Sequence, residues 1–258
     1  MKYRENVTDL GVEIHKSTSK NRMGDYMKVV AVVPMKLNNR RLPGKNTRSF
    51  TNGNPLCTYI LNTLSDVPSI DEVYVYCSDD SIKQYLPPGV RFMSRPNRLN
   101  LDSTKINEVL REFARVVDSD IYLLAHATAP FIGRKSIEEG IDAVLNRGYD
   151  SSFSVEKMQT FVWLDRNKSN YDLSNIPRTQ DMEPIFVETS GFYCFKKETI
   201  VDHGRRIGFN PFMVEVGKEE SIDIDELIDF EMADAWFNYT LGGGEHALVI
   251  KITQGVMA

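Results

Sequence analysis

The run KVVAVVP at residues 28–34 and the segment MKLNNRRLPGKNTRSF at 35–50 that follows it decide the fold. The first is short, β-branched and almost wholly apolar, which suits a strand buried on both faces of a parallel sheet. The second is a long polar loop. Working outward, PLCTYILNTL (55–64) has helical spacing with a proline near its start, and DEVYVYC (71–77) is a second strand. VRFM (90–93) is a brief strand and STKINEVLREFARVV (103–117) an amphipathic helix opened by a capping serine. DIYLLAHA (120–127) is the most apolar strand, and GRKSIEEGIDAVLNRG (133–148) a helix ended by Gly148. Strands alternating with helices predict a Rossmann-like, doubly wound α/β fold with a mainly parallel sheet, its ligand beyond the carboxyl ends of the strands. After Asp150 the rhythm changes. SSFSV, FVWLD, IFVETSGFYCF and PFMVEV read as strands joined by a polar stretch at 166–183, which predicts a mixed sheet with a protruding element. A last helix, 226–239, follows the acidic ESIDIDE.

A chain of 258 residues with 41% hydrophobic and 26% charged residues suits one large globular domain and excludes fibres, mini-proteins and channels. Its net charge of -5 argues against a general affinity for nucleic acid or acidic lipid, so any anion must be held by a local site. Cys57, Cys77 and Cys194 are too few and too scattered for a disulfide framework or a zinc cluster and read as buried thiols in a reducing cytoplasm. No stretch approaches the ~18 to 20 apolar residues of a membrane helix. The first 26 residues lack the apolar centre of a secretory signal. The expected organisation is a polar arm at 1–26, a domain at 27–240 with a protruding element at about 166–210, and a tail at 241–258.

Five regions carry residues suited to chemistry. The loop after the first strand holds Lys36, Arg40, Arg41, Lys45 and Arg48 and no acid, and Gly44 allows close backbone approach. At the carboxyl edge of a sheet such cations suit a polyphosphate; a solvated basic loop is the plainer alternative. In Ser221-Ile222-Asp223-Ile224-Asp225 the two carboxylates share one side of an extended segment, an oxygen-rich site for magnesium, although either also suits a helix cap. Ser78, Asp79 and Asp80 end the second strand and suit a cap or a ligand contact. His126 and Thr128 lie at the end of the most apolar strand, where a core histidine is the plainer reading. His203-Gly204-Arg205-Arg206 is a second basic turn, open to an anion or a subunit contact. No P-loop, no GxGxxG and no hydrolase or zinc-protease pattern occurs.

In this order the pieces resemble the acylneuraminate cytidylyltransferase family, the makers of CMP-sialic acids, within the nucleotide-diphospho-sugar transferase fold. The resemblance covers about residues 27–240. The family's Ala-Arg-x-x-Ser-Lys-x-x-Pro-x-Lys-Asn loop is matched by residues 35–46, with Lys36 for the usual Arg, Asn39 for Ser, Arg40 for Lys, and Lys45 and Asn46 kept. Its Arg-Pro matches Arg95-Pro96, and its Asp-Thr-Ala segment stands here as Asp102-Ser103-Thr104. Pro-Arg-x-Gln is present through Arg178 and Gln180, and Glu-Thr-Gly-Ala-hydrophobic-Tyr stands as Glu188 to Tyr193. Ser-Ile-Asp-Ile-Asp is identical. The family's Gln-Pro-Thr-Ser-Pro is altered to His126-Ala127-Thr128-Ala129-Pro130.

The resemblance implies transfer of CMP from CTP to the anomeric hydroxyl of a nine-carbon 2-keto sugar acid, with release of pyrophosphate. It implies Lys45, Arg40 and Asp225 as catalytic residues, Lys36, Asn46, Ser78, Arg95 and Asp102 around the nucleotide, and Mg²⁺ on Asp223 and Asp225. His126, Thr128, Arg178, Gln180, Glu188 and Tyr193 fall to the acceptor. Arg178 is the first choice for the acceptor's carboxylate, with Arg205 and Arg206 behind it. A homodimer that swaps its protruding element is implied as well. The alternatives are a cytidylyltransferase for Kdo, whose loop Arg41-Leu42-Pro43-Gly44-Lys45 resembles, one for a non-sugar phosphonate, and a catalytically silent nucleotide-binding protein on the same fold.

Overall fold

A computed structural model describes residues 26–241, so the expected N-terminal arm and C-terminal tail lie almost wholly outside the described residues. Among those described, seven strands form one sheet in the order β3-β2-β1-β4-β8-β5-β9. They are β1 (Val29–Met35), β2 (Glu72–Cys77), β3 (Arg91–Ser94), β4 (Ile121–Ala125), β5 (Ser151–Met158), β8 (Ile185–Lys196) and β9 (Pro211–Val216). β6 (Trp163–Asp165) and β7 (Lys168–Ser169) form a small separate hairpin. β1 pairs in parallel with both β2 and β4, and β5 in parallel with β9, while β8 runs antiparallel between β4 and β5. The expected doubly wound, mainly parallel sheet is therefore present, with β8 as the reversed strand.

The helices α1 (Leu56–Ser65) and α3 (Arg134–Leu145) cover one face, meeting the side chains of Ala31, Val33, Val75 and Leu123. The helix α2 (Ile106–Ala114) covers the other, through Val109, Leu110 and Phe113 on Val32, Tyr76, Tyr122 and Leu124. This two-sided cover is why β1 and β4 contain no outward polar alternation. Gly140 in α3 lets that helix close on β8, since a Cβ there would stand 2.4 Å from the Phe192 ring. The three cysteines are free and buried, as expected. α2 is shorter than its apolar spacing suggests: it starts at Ile106, so Ser103 does not cap it.

The stretch expected to protrude, about 166–210, contains the second half of β8 and the short helix α4 (Lys197–Val201), whose Phe192, Tyr193, Phe195 and Ile200 are core residues. Beyond the sheet lies the excursion between Met158 and Ile185, which starts and ends at the last pairs of the β5–β8 ladder.

Two strand orders meet at β1, whose neighbours β2 and β4 lie on opposite sides. That switch point opens a crevice at the carboxyl ends of β1 and β4. A third apolar cluster fastens its rim: Leu42 and Phe50 of the loop after β1 pack with Leu56, Ile224 and Phe230. Phe230 belongs to α5 (Leu227–Leu241), so the basic loop, the Asp223–Asp225 segment and the last helix are held as one piece.

Candidate active site

The crevice is built first by the loop after β1. Gly44 sits at φ 67, a left-handed conformation that glycine adopts without strain. It turns the chain into a short 3-10 turn, Lys45–Thr47, and buries Lys45 and Asn46. The Lys45 Nζ donates to the Ile224 carbonyl at 2.6 Å and to Asp225 Oδ1 at 3.3 Å. Asn46 Nδ2 donates to the Lys36 carbonyl, which pins the start of the loop against its end. Arg41 Nη2 reaches the same Asp225 oxygen at 2.8 Å. Lys36 and Arg40 both meet Asp102, at 3.0 and 2.9 Å, and these two cations hold its carboxyl below the usual carboxylate range. Lys36, Arg40, Arg41 and Lys45 thus line one cavity of about 320 Å³, with Asp102 and Asp225 as its acids. Arg48 does not join them. Its guanidinium lies 5.1 Å from the Phe230 ring centre.

Alternation does for the acidic segment what the sequence suggested. Ile224 is fully buried and Ile222 partly so, both in the cluster under the rim, while Asp223 and Asp225 face the crevice. The Ile224 N–H donates to the Thr128 carbonyl at 2.8 Å, which ties this segment to the end of β4. Asp223 opens to solvent on one side, yet lost hydration on the other raises its carboxyl above the usual range. The hydrogen bond from Thr128 opposes that shift and the charge of Asp225 adds to it. The pair suits a hard divalent cation by donor type, since both are carboxylate oxygens and no thiol or imidazole accompanies them. Among the described residues no group of three or more His, Cys, Asp or Glu gathers. An ion held here therefore draws the rest of its shell from water and phosphate, the habit of magnesium.

A second cavity, about 250 Å³, shares Lys36 and Asp102 with the first and is lined by Arg95, Leu99, Thr104 and Val109. Arg95 is buried, and burial lowers its pKa from the ordinary arginine value. Its Nη2 donates to Asn100 Oδ1 at 2.6 Å, and Asn100 Nδ2 donates to Ser78 Oγ at 2.6 Å. The Nε of Arg95 is buried without a partner among the described residues. Asp79 accepts from the Ser81 N–H and so serves as the cap that its position allowed.

On the far side of β4 stand His126 and Tyr193, ring centres 6.5 Å apart. Burial pushes His126 down to about 4, with the charges of Arg206 and Lys45 adding to the effect. Its Nε2 is buried and unpartnered. Tyr193 donates to Glu188 Oε2 at 2.7 Å, and burial, then that bond, push the phenol up to about 12. Ser190 sits at φ 58, opposite the irregularity in the β5–β8 ladder, and its side chain also hydrogen-bonds Tyr193. A glycine would meet no strain there.

Comparison with known proteins decides what this crevice belongs to. The family model described as Cytidylyltransferase matches residues 30–235. The chain belongs to the cytidylyltransferase family. N-acylneuraminate cytidylyltransferase A of Danio rerio is 27% identical over 216 residues, 80% of this chain and 50% of that protein. The 3-deoxy-manno-octulosonate cytidylyltransferase 2 of Hydrogenovibrio crunogenus is 24% identical over 180 residues, 69% of this chain and 68% of that one. A solved CMP:2-keto-3-deoxy-manno-octonic acid synthetase complexed with CTP superposes with a TM-score of 0.64 at 17% identity, covering 83% of this chain and 99% of its own. The chain spans about half the length of the Danio relative. Membership makes the expected nucleotidyltransferase class the family's own, and the solved cytidylyltransferase shares the fold. No helix among the described residues is long and apolar enough to cross a membrane.

Within this cytidylyltransferase fold, Lys36, Arg40, Lys45, Asn46, Asp102, Asp223 and Asp225 converge, while Ser78 and Arg95 gather through Asn100. Thr128, His126, Glu188 and Tyr193 stand nearby. Arg178 and Gln180 do not join them. Arg178 is 73% exposed and forms a two-pronged pair with Asp181, at 2.7 and 3.0 Å, in the excursion beyond the sheet. Gln180 is exposed in the same excursion. Sequence reasoning passed over Asn100, a neutral amide in a polar turn with no local signal. It also ranked Arg41 with the loop's cations only, although Arg41 holds the Asp225 carboxylate.

Proposed function

We propose that the chain transfers CMP from CTP to the anomeric hydroxyl of a nine-carbon 2-keto sugar acid and releases pyrophosphate. The observation that carries this reading is the buried Lys45, whose ammonium joins the cationic loop to Ile224 and Asp225. A lysine sealed in that way holds one positive charge where phosphate oxygens and a carboxylate pair would converge.

The triphosphate lies in the larger cavity, with Lys45, Lys36 and Arg40 against its oxygens, and the cytidine reaches toward Arg95 and Ser78 in the smaller one. Asp223 and Asp225 would hold Mg²⁺, which would supply positive charge to the phosphate oxygens. Arg41 and Lys45 both engage Asp225 Oδ1. The second oxygen of Asp225 remains to take the ion or the proton of the attacking hydroxyl. The acceptor sits between Thr128, His126 and Tyr193. Cations and preorganised donors around the α-phosphate supply the electrostatic stabilisation on which phosphoryl transfer depends.

Pyrophosphate release with CTP and Mg²⁺ tests the reading across N-acetylneuraminate, legionaminate, pseudaminate, Kdn, Kdo and simple phosphonates, with UTP as control. Release with a nine-carbon acid is the expected result. Release with Kdo alone would move the chain to the Kdo enzymes, a reading that the Arg41-to-Lys45 loop and the Hydrogenovibrio relative favour. No release with any acid would contradict the proposal.

The same proposal includes a homodimer built on the excursion between β5 and β8. Trp163, Leu164, Leu173 and Ile176 are between 51% and 65% exposed there. So many large apolar side chains in one projecting segment are a surface that association would cover. Sedimentation at micromolar concentration should give a dimer that Leu164→Asp with Ile176→Asp weakens. A wild-type monomer would remove this part of the proposal.

A further inference from the structure

Arg206 is the cation that the described site leaves unused. It comes from the basic turn after α4, and its guanidinium carbon lies over the Tyr193 ring, 3.9 Å from the centre. Nη2 donates to the Tyr193 oxygen at 3.2 Å and stands 3.7 Å from Glu188, too far for a hydrogen bond to the carboxylate. Among the described residues its Nε and Nη1 meet no protein acceptor. The side chain is only 25% exposed, so these donors are partly dehydrated as well as unpaired. Neighbouring Arg205 differs: it is engaged by the Gly208 carbonyl and the Phe209 ring.

His126 fixes where Arg206 stands relative to the phosphate cations. Lys45 donates to the Ile224 carbonyl, the Ile224 N–H donates to the Thr128 carbonyl two residues past His126, and the His126 ring centre stands 6.5 Å from that of Tyr193, on which Arg206 rests. The buried Nε2 of His126 has no partner among the described residues, which marks a place for a ligand group. In a 2-keto sugar acid the carboxylate is attached to the carbon whose hydroxyl attacks, so the cation that receives it must face the same crevice as Lys45. Arg206 does. Arg178, which the sequence favoured for this task, is occupied by Asp181 outside that crevice.

We propose that Arg206, braced on Tyr193 beside His126, receives the carboxylate of the acceptor with its guanidinium. Each edge of the guanidinium that can grip both oxygens of a carboxylate includes Nη2, whose second hydrogen is left over from the bond to Tyr193. His126 Nε2 then meets a neighbouring polar group of the same acceptor. The inference rests on the cytidylyltransferase reading and sharpens it: the acceptor must be an acid, and its charge is read by a residue of the turn after α4.

Steady-state rates with the accepted acid and with its uncharged carboxamide, each in wild type and Arg206→Gln, test this. Wild type should prefer the acid by ~10- to 100-fold, the worth of a charge-assisted hydrogen bond. Arg206→Gln should raise the acceptor KM by a similar factor, leave the CTP KM unchanged, and lose most of the preference for acid over amide. Arg206→Lys, which keeps charge but not the fork, should retain part of it, and it serves as the informative variant should Arg206→Gln fold poorly. An undiminished preference in Arg206→Gln, or its loss in Arg178→Gln instead, would overturn the assignment while leaving cytidylyl transfer intact. Absence of wild-type turnover with every acid would overturn the functional reading itself, and this inference with it.

Discussion

Asp225→Asn should lower turnover in Mg²⁺ by about 10³-fold or more, on the scale of removing a principal electrostatic group from a transition state. The substitution keeps shape and leaves an oxygen that Arg41, now 2.8 Å from Asp225, can still meet. It removes the negative charge that a divalent cation requires. Asp225 is 40% exposed and packs in no apolar cluster, so the melting temperature should move little. A second measurement separates loss of the metal site from general damage. Without metal, CTP should bind Asp225→Asn at least as tightly as wild type, because one repulsive carboxylate has left a cavity made for an anion. Near-normal turnover would refute the metal assignment, and weaker metal-free CTP binding would point to damage of the loop.

Lys45→Met should lower kcat/KM for CTP by about 10²- to 10³-fold, the scale of losing one charge-assisted partner of a transferring phosphate. Methionine keeps most of the buried stem, whose side chain is only 9% exposed. The variant leaves the Ile224 carbonyl without its 2.6 Å donor, so a stability loss of about 1 to 3 kcal/mol should accompany it. The two effects are separable by ligand. CTP affinity, measured calorimetrically on protein shown to be folded, should fall, whereas cytidine, which has no phosphate, should bind as before. Unchanged CTP affinity and rate would remove Lys45 from the phosphate site.

The sequence made legible what depends on local period. The apolar run before the basic loop identified β1, and the Ile-Asp alternation at 222–225 told which side chains pack and which face the crevice. It did not reveal that β8 enters between β4 and β5, since strand partners are chosen by contacts far apart in the chain. The same run, Ile185–Lys196, is exposed over 186–188 and buried from 191 to 195, so a strand that is half projecting and half core reads as one apolar segment. Arg178 and Arg206 show the same limit at the site. Both are arginines in polar stretches, and only the fold sets one against Asp181 in the excursion and the other over Tyr193. Arg48 belongs with the basic loop in sequence, yet the packing of Phe230 draws it away.

In the proposed reaction the α-phosphorus of CTP is the atom attacked, by the anomeric hydroxyl of a sugar acid. Mass spectrometry of the product formed from CTP, Mg²⁺ and N-acetylneuraminate, with the other nine-carbon acids in parallel, tests it most directly. The expected product is a CMP ester carrying a single phosphorus, together with one equivalent of pyrophosphate. A product carrying two phosphorus atoms, or none from any of the acids, would contradict it.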